Sequence, residues 1–258
     1  MPVLAPLGRA LLGLLTGLGQ LALFTLNALR HAVTPPFYPR LIGRQVIEVG
    51  YYSLPVVGLT ALFTGMVLAL QSYTGFSRFN AENAIANVVV LSMTRELGPV
   101  LAALMVAGRV GAAMAAEIGT MRVTEQIDAL ATLSTNPFKY LIAPRLIAGI
   151  LTLPPLVLLD DIIGVLGGWL IGVYKLDFNA VVYLQNTVNF VRTMDVVSGL
   201  VKAAVFGFLV TLMGCFHGYH SRGGARGVGS ATTSAVVTGS ILILLFDYFL
   251  TELFFVRR

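Results

Sequence analysis

Six ionisable side chains fall inside stretches that are otherwise strongly apolar, and they are the residues of this sequence best suited to chemistry. A charged side chain at the centre of a bilayer costs about 2.5–3.5 kcal/mol on insertion scales, and such residues usually face a bundle interior or a wet cavity. We therefore predict that they line a polar cavity, with structural ion pairs as the alternative. The six are Arg95, Glu96, Asp160, Asp161, Lys202 and Asp247.

The adjacent residues Arg95 and Glu96 cannot neutralise each other, because neighbours in sequence point to different sides of a helix. Each therefore needs a partner on another helix or a water molecule. Pro99 follows closely and has no N–H to donate to the Arg95 carbonyl oxygen in a helix. We predict a kink at this point, with a free backbone acceptor beside the charged side chains.

The composition indicates that lipid is the solvent for most of the chain. Hydrophobic residues make up 57% of the 258 residues and charged residues 11%, against about a quarter in a soluble domain. The formal net charge of +5 is not clustered as nucleic-acid binding requires, and basic loops beside a membrane explain it better. The histidines and Cys215 lack ligand-like spacing, so we predict no metal site and no cofactor.

The elements that must position these side chains are apolar helices, and the chain is predicted to be an all-α, polytopic membrane protein. Residues 1–35 are predicted to form an amphipathic helix lying in the membrane interface, with a signal peptide or a true spanning helix as the alternatives. Residues 36–258 complete a single domain, 1–258, as a bundle of five helices. Five stretches are near the ~20 residues that a bilayer needs, at about 50–71, 85–110, 141–173, 196–219 and 230–255.

The distribution of Lys and Arg predicts the orientation. With the N-terminus inside, the inner loops carry more basic residues than the outer loops, which places the C-terminus outside. At a rise of about 1.5 Å per residue, Glu96 then lies near the midplane and Lys202 near the outer end. Asp160, Asp161 and Asp247 lie in the outer half. The predicted cavity therefore opens toward the outside.

The longest inner loop, residues 111–140, has helix-forming composition and mixed charges, and it ends at the turn signal Asn136-Pro137. We predict a short polar helix lying across the cytoplasmic face. It is either a connector or a docking element for a soluble partner, and composition does not distinguish the two.

A stripe of small residues precedes and enters this loop at every fourth position. Such a stripe lets helix backbones approach closely in a membrane. It indicates helix packing, within the chain or between copies. Its members are Ala103, Ala107, Gly111, Ala115 and Gly119.

Several catalytic motifs do not occur in the sequence. No glycine precedes a lysine as in the phosphate-binding loop G-x-x-x-x-G-K-[ST], so the chain cannot bind ATP in that way. The H-E-x-x-H and G-x-S-x-G motifs do not occur either. We predict that the chain is not an enzyme.

Several short strings resemble the MlaE family of ABC permeases. The resemblance extends from about residue 44 to 255, and the Arg-Glu-Leu-Gly-Pro-Val string is specific to that family. The strings run from Thr64 to Gln71, from Arg95 to Val100, from Ala107 to Arg109, from Ala116 to Gly119 and from Arg122 to Gln126.

The resemblance implies a homodimeric permease with an N-terminal interfacial helix and five spanning helices, in the inner membrane of a diderm bacterium. It implies partnership with a separate cytoplasmic ABC ATPase and a periplasmic MCE-domain protein. The complex would move phospholipid between membranes and so maintain outer-membrane lipid asymmetry. Hydrolysis of ATP would occur on the partner chain.

The resemblance also assigns roles to residues. Arg95, Glu96, Lys202 and Asp247 match polar positions around the family's lipid cavity, whereas the Asp160-Asp161 pair is less regular in the family pattern. The inner loop would contain the coupling helix that docks on the ATPase. Its residues would be Glu117, Arg122, Glu125, Gln126 and Asp128.

Two other functions remain open from the sequence. A proton-coupled secondary transporter could use the buried carboxylates as a relay, although such folds often show two similar halves and no internal repeat is visible here. A non-transporting membrane scaffold would have little reason to bury several charges at mid-depth.

Overall fold

The computed structural model describes residues 4–79 and 84–256, and every regular element within these ranges is helical. Residues 1–3, 80–83 and 257–258 of the predicted domain lie outside the described residues. Six helical stretches are long and apolar enough to cross a membrane. The prediction of an all-α, polytopic membrane protein is confirmed.

Eleven α-helices follow one another along the described chain, several of them joined by π-helical turns. The π turns occupy Met93–Leu97, Ala107–Gly111, Phe138–Ile142 and Glu252–Val256. The α-helices are α1 (Leu4–Val33), α2 (Pro39–Val49), α3 (Leu54–Phe76), α4 (Ile85–Ser92), α5 (Gly98–Val106), α6 (Ala112–Val123), α7 (Gln126–Thr132), α8 (Ala143–Tyr174), α9 (Ala180–Phe190), α10 (Thr193–Tyr219) and α11 (Gly224–Thr251).

Helix α1 packs against one end of the bundle. The buried Phe24 ring lies 5.2 Å from Phe138 and 5.8 Å from Tyr219, at the start of the α8 segment and the end of α10. Most other side chains of α1 that the structure describes are exposed. The stretch Leu11–Val33 is long and apolar enough to span a bilayer, so the interfacial placement of α1 stays a prediction.

Helix α8 is the centre of the bundle and packs against both α3 and α10. Glycines permit these close approaches. A Cβ at Gly65 would overlap the backbone of Gly164, and a Cβ at Gly207 would overlap that of Gly149. Since apolar side chains gain little by leaving lipid, backbone approach of this kind is a main source of helix association in a membrane.

Three features differ from the predicted elements. Helix α2 precedes the first predicted span, which begins near residue 50. The second span does not end near residue 110, because the helical stretch continues from Ile85 to Val123 through π turns and the alanine-rich α6. Residues 111–140 therefore contain the end of this stretch and a separate short helix, α7. Helix α9 was not predicted, although Asn179 caps it by accepting hydrogen bonds from two backbone N–H groups.

Candidate functional site

Lys202 is the centre of a cluster of charged side chains contributed by α10, α11 and the π turn Met93–Leu97. Its ammonium donates hydrogen bonds to Glu96 Oε2 at 2.7 Å, to Thr251 Oγ1 at 2.7 Å and to the Arg95 carbonyl oxygen at 3.0 Å. Asp247 Oδ1 lies 2.9 Å from the same nitrogen, at ion-pair distance but without hydrogen-bond geometry. The three N–H bonds of the ammonium are therefore all occupied within the chain.

The π turn explains how a backbone carbonyl becomes available to Lys202. The Gly98 N–H donates to the Met93 carbonyl, one residue farther back than in an α-helix. Pro99 has no N–H, so the Arg95 carbonyl loses its helical donor. The free acceptor predicted from the sequence is present, and Lys202 binds it.

Arg95 points away from Lys202 and pairs with Asp195 at the start of α10. Its Nε and Nη2 lie 2.8 Å and 2.6 Å from Asp195 Oδ1, and its guanidinium carbon lies 4.2 Å from the centre of the Phe255 ring. The other oxygen, Asp195 Oδ2, accepts from the Arg192 backbone N–H at 3.0 Å. Asp195 was missed from the sequence because it precedes the predicted apolar span, although an acid in the first turn of a helix is a recognisable signal.

The charged side chains of the cluster differ in their exposure in the single chain. The side chains of Glu96 and Arg95 are 38% and 29% exposed and that of Asp247 is 20% exposed, whereas Lys202 is fully buried. With Asp195, the described residues of the cluster comprise three acidic and two basic side chains, so they carry one excess negative charge when every group is ionised. A molecule that reaches the cluster meets the Glu96 carboxylate and the Arg95 guanidinium, its most exposed charged groups.

The structure does not bring Asp160 and Asp161 into this cluster. Both are buried on α8, and among the described residues neither Asp160 oxygen nor Asp161 Oδ1 has a hydrogen-bond partner. Asp161 Oδ1 faces Gly98, where an added Cβ would overlap it. Gly98, directly after the π turn, is therefore the structural link between this pair and the cluster.

The residues proposed for the coupling helix divide into two groups. Glu117 on α6 pairs with the buried Arg145 of α8 at 2.8 Å, and Arg122 pairs with Asp128 at 2.7 Å. Helix α7 is anchored by the buried Ile127 and exposes its polar side chains. The exposed residues of the set are Glu117, which is 58% exposed although it pairs with Arg145, and Glu125, Gln126 and Asp128.

The stripe of small residues is buried and packs within the chain. Ala103, Ala107, Gly111, Ala115 and Gly119 are all buried. Gly111 and Ala115 pack against α10, where a Cβ at Gly214 or Gly218 would lie 2.9 Å from their respective carbonyl oxygens, whereas Gly119 faces Ser221 and Val228. Only glycine at those two positions allows α6 and α10 to approach this closely.

Comparison with known proteins places these features in a family. The family described as Permease MlaE matches residues 42–253. A probable ABC transporter permease protein of Rickettsia bellii is 60% identical over 249 residues, which are 96% of each chain. The intermembrane phospholipid transport system permease protein MlaE of Haemophilus influenzae is 36% identical over 258 residues, 98% of this chain and 97% of the relative.

A plant relative extends the comparison beyond bacteria. The chloroplastic protein TRIGALACTOSYLDIACYLGLYCEROL 1 of Arabidopsis thaliana is 39% identical over 214 residues, 82% of this chain and 61% of the relative. The family match covers most of the chain, including the charged cluster, the small-residue stripe and α7. The chain belongs to the MlaE family of permeases.

Proposed function

We propose that the chain is the membrane-spanning subunit of an ATP-driven phospholipid transporter in the inner membrane of a diderm bacterium. The observation that carries this proposal is a partly exposed ionic cluster deep among apolar helices, beside side chains suited to acyl chains. Its biological role would be to maintain the lipid asymmetry of the outer membrane. The name of the Haemophilus relative, a phospholipid transport permease, supports the choice of substrate.

The surroundings of the cluster fit an amphiphile. On α11, the exposed apolar side chains Leu244, Leu245, Tyr248 and Phe249 flank Asp247 in sequence. A phospholipid has a charged headgroup joined to long apolar chains, so a charged patch beside an apolar face matches both of its parts. In a homodimer, two such open faces turned toward each other would enclose a shared cavity. A second copy of the chain is therefore part of the proposal.

Helix α7 is the proposed coupling element for a cytoplasmic ABC ATPase. Glu125 and Gln126 are exposed, and Asp128 forms an ion pair with Arg122. Helix α7 therefore presents polar groups and is fixed to the end of α6. The helical stretch Ile85–Val123 connects this end of the bundle to Glu96. At about 1.5 Å per residue the connection spans about 40 Å. Movement of α7 would thus pass through the short turn after Val123 and along this stretch to the cluster, with the π turn Ala107–Gly111 as a candidate hinge.

The proposed mechanism is alternating access driven from outside this chain. Closure of the ATPase would move α7, and the paired copies would narrow the cavity and expel the lipid. A periplasmic MCE-domain protein would receive or deliver the lipid on the outer side, with the N-terminus of the permease cytoplasmic and the C-terminus periplasmic. The permease itself contributes binding and movement and no hydrolysis.

The test is phospholipid transfer by the assembled complex in proteoliposomes. Asp247→Asn removes a cluster charge at nearly constant shape, and we expect ATP-dependent transfer to fall about 10-fold or more. Glu252→Gln is the matched control, since Glu252 is an exposed acid in the π turn directly after Thr251. Equal transfer by the wild type and Asp247→Asn would contradict the role of the cluster.

One alternative, a proton-coupled transporter, is favoured by the buried Asp160 and Asp161. Within the described part of the chain, both Asp160 oxygens and Asp161 Oδ1 have no hydrogen-bond partner. A proton gradient imposed without ATP distinguishes the two. Lipid transfer driven by the proton gradient alone would show that the transporter is proton-coupled and not ATP-driven. If neither energy source moves lipid, the chain is a scaffold.

A further inference from the structure

We propose that the cluster selects phospholipids with a primary ammonium headgroup, with Glu96 binding the ammonium and Arg95 binding the phosphate. This inference rests on the proposed function and names its substrate class. Two observations carry it: the excess of acidic over basic side chains, and the difference in exposure among them.

The charge balance favours a zwitterionic headgroup over an anionic one. Among the described residues, Lys202 is the single cation between Glu96 and Asp247, while Arg95 and Asp195 neutralise each other. When every group is ionised, these residues carry one excess negative charge in a region surrounded by apolar helices. A further negative charge there is costly, so a headgroup whose ammonium offsets its own phosphate binds more readily than one that is anionic.

Exposure decides which side chains a ligand can reach. Lys202 is fully buried and its three N–H bonds are occupied, so its ammonium is not available to a lipid phosphate. Glu96 accepts one hydrogen bond at Oε2 from Lys202 and one at Oε1 from Thr251. A carboxylate has about four acceptor sites, so the exposed part of Glu96 retains capacity for N–H donors.

The phosphate of the same lipid has a separate partner. Arg95 is 29% exposed, and its contacts to Asp195 involve Nε and Nη2. A guanidinium carries five N–H donors, so others remain for a phosphate oxygen. Glu96 and Arg95 are both partly exposed. The cluster therefore offers an acceptor and a donor at two separate positions, and the two charges of a zwitterionic headgroup are separated as well.

The experiment is lipid retention by the purified full-length chain, measured by native mass spectrometry. The probes are phosphatidylethanolamine, phosphatidylcholine and phosphatidylglycerol with identical palmitoyl-oleoyl chains. We expect the ethanolamine lipid to be retained about 10-fold better than the glycerol lipid, because its ammonium donates charge-assisted hydrogen bonds that glycerol hydroxyls do not. The choline lipid has the positive charge without N–H donors, so its retention should fall between the two.

Two variants locate the preference. Glu96→Gln should reduce the preference for ethanolamine over glycerol lipid to less than about 2-fold, since an amide does not supply the negative charge. Glu252→Gln should leave it unchanged. If a proton neutralises the cluster in place of an ammonium, the wild type retains all three lipids alike and the inference is wrong. Preference that persists in Glu96→Gln also overturns it. If the wild type retains none of the lipids, the proposed function itself fails.

Discussion

The Lys202 ammonium lies 2.7 Å from the Glu96 carboxylate, although the two residues are 106 positions apart in the chain. The contact joins the π turn Met93–Leu97 to α10, and Asp247 extends it to α11. Because Lys202 also binds the carbonyl that Pro99 leaves free, the local backbone and the long-range ion pair depend on each other.

Replacing Lys202 by methionine should destabilise the isolated chain. Glu96 and Asp247 would lose their buried counter-charge, and breaking a buried pair in this way costs about 3–5 kcal/mol. The measurement is denaturant unfolding in detergent micelles. Lys175→Met, at an exposed lysine after α8, should change stability little. Combining Lys202→Met with Glu96→Gln and Asp247→Asn should recover part of the loss; a single variant as stable as the wild type would refute the role of the pair.

Gly98→Ala should also destabilise the chain, for a steric reason. The new methyl would overlap Asp161 Oδ1, and overpacking of a tight interior costs about 1–3 kcal/mol. Gly108→Ala is the matched control in the same helical stretch, because nothing lies within 4 Å of a Cβ there. Thermal unfolding should separate the two variants. Adding Asp161→Ala should restore only part of the stability of Gly98→Ala, since the new Cβ would also lie 2.9 Å from the Met93 carbonyl oxygen. Equal stability of the two glycine variants would show that the close approach does not matter.

Substitution of Glu117 should lower the stability of the chain and should not act through contact with the ATPase. Its contact is with Arg145 of the same chain, which is only 5% exposed, whereas the Glu117 side chain is 58% exposed. Glu117→Gln weakens that pair, and we expect a loss of about 1–3 kcal/mol in the purified chain without any ATPase present. The midpoint of chemical unfolding is the readout. A variant with normal unfolding that fails only in the assembled complex would favour direct docking by Glu117.

Glu125→Lys should leave the stability of the chain unchanged and should affect its contact with the ATPase. Glu125 is exposed and has a φ of 60°, so the substitution changes surface charge with little effect on packing. We expect unchanged unfolding and a loss of lipid-stimulated ATPase activity of about 10-fold in the complex, as for a lost contact between opposite charges across an interface. Asp177→Lys is the matched control, since Asp177 is also acidic, exposed and at positive φ. Asp177 follows the C-terminal end of α8, whereas Glu125 precedes its N-terminal end. Normal ATPase stimulation in Glu125→Lys would remove α7 from the docking surface.

The ionic residues could be predicted from sequence because a charge inside an apolar stretch requires a partner wherever the helices pack. The partner of each ionic residue could not be predicted, since spacing along one helix does not fix the rotation of the neighbouring helices. Lys202, which was predicted to line the cavity, is fully buried and contacts several residues of the chain. Asp195 was missed because hydropathy marks spans, and this acid stands at the edge of one.

The boundaries of the helices, like the ionic contacts, could be predicted only in part. The span ending near residue 110 was cut short because Arg109 resembles a loop boundary, whereas the Ala-rich sequence that follows sustains helix through α6. Arg109 is accommodated because its Nε donates to the buried Ser53 hydroxyl at 3.0 Å. Such a partner on another element is invisible in a one-dimensional pattern.

The most direct test of the central claim, that the cluster contacts transported phospholipid, is site-specific photocrosslinking in the complex. Benzoylphenylalanine at position 255 would replace the aromatic ring that lies over Arg95. The same group at Tyr174, which is 76% exposed, reports on surrounding lipid. We predict phospholipid adducts at position 255 that diminish during ATP hydrolysis, and adducts at position 174 that do not change. Adducts at position 255 that are absent, or indifferent to ATP, would contradict the account.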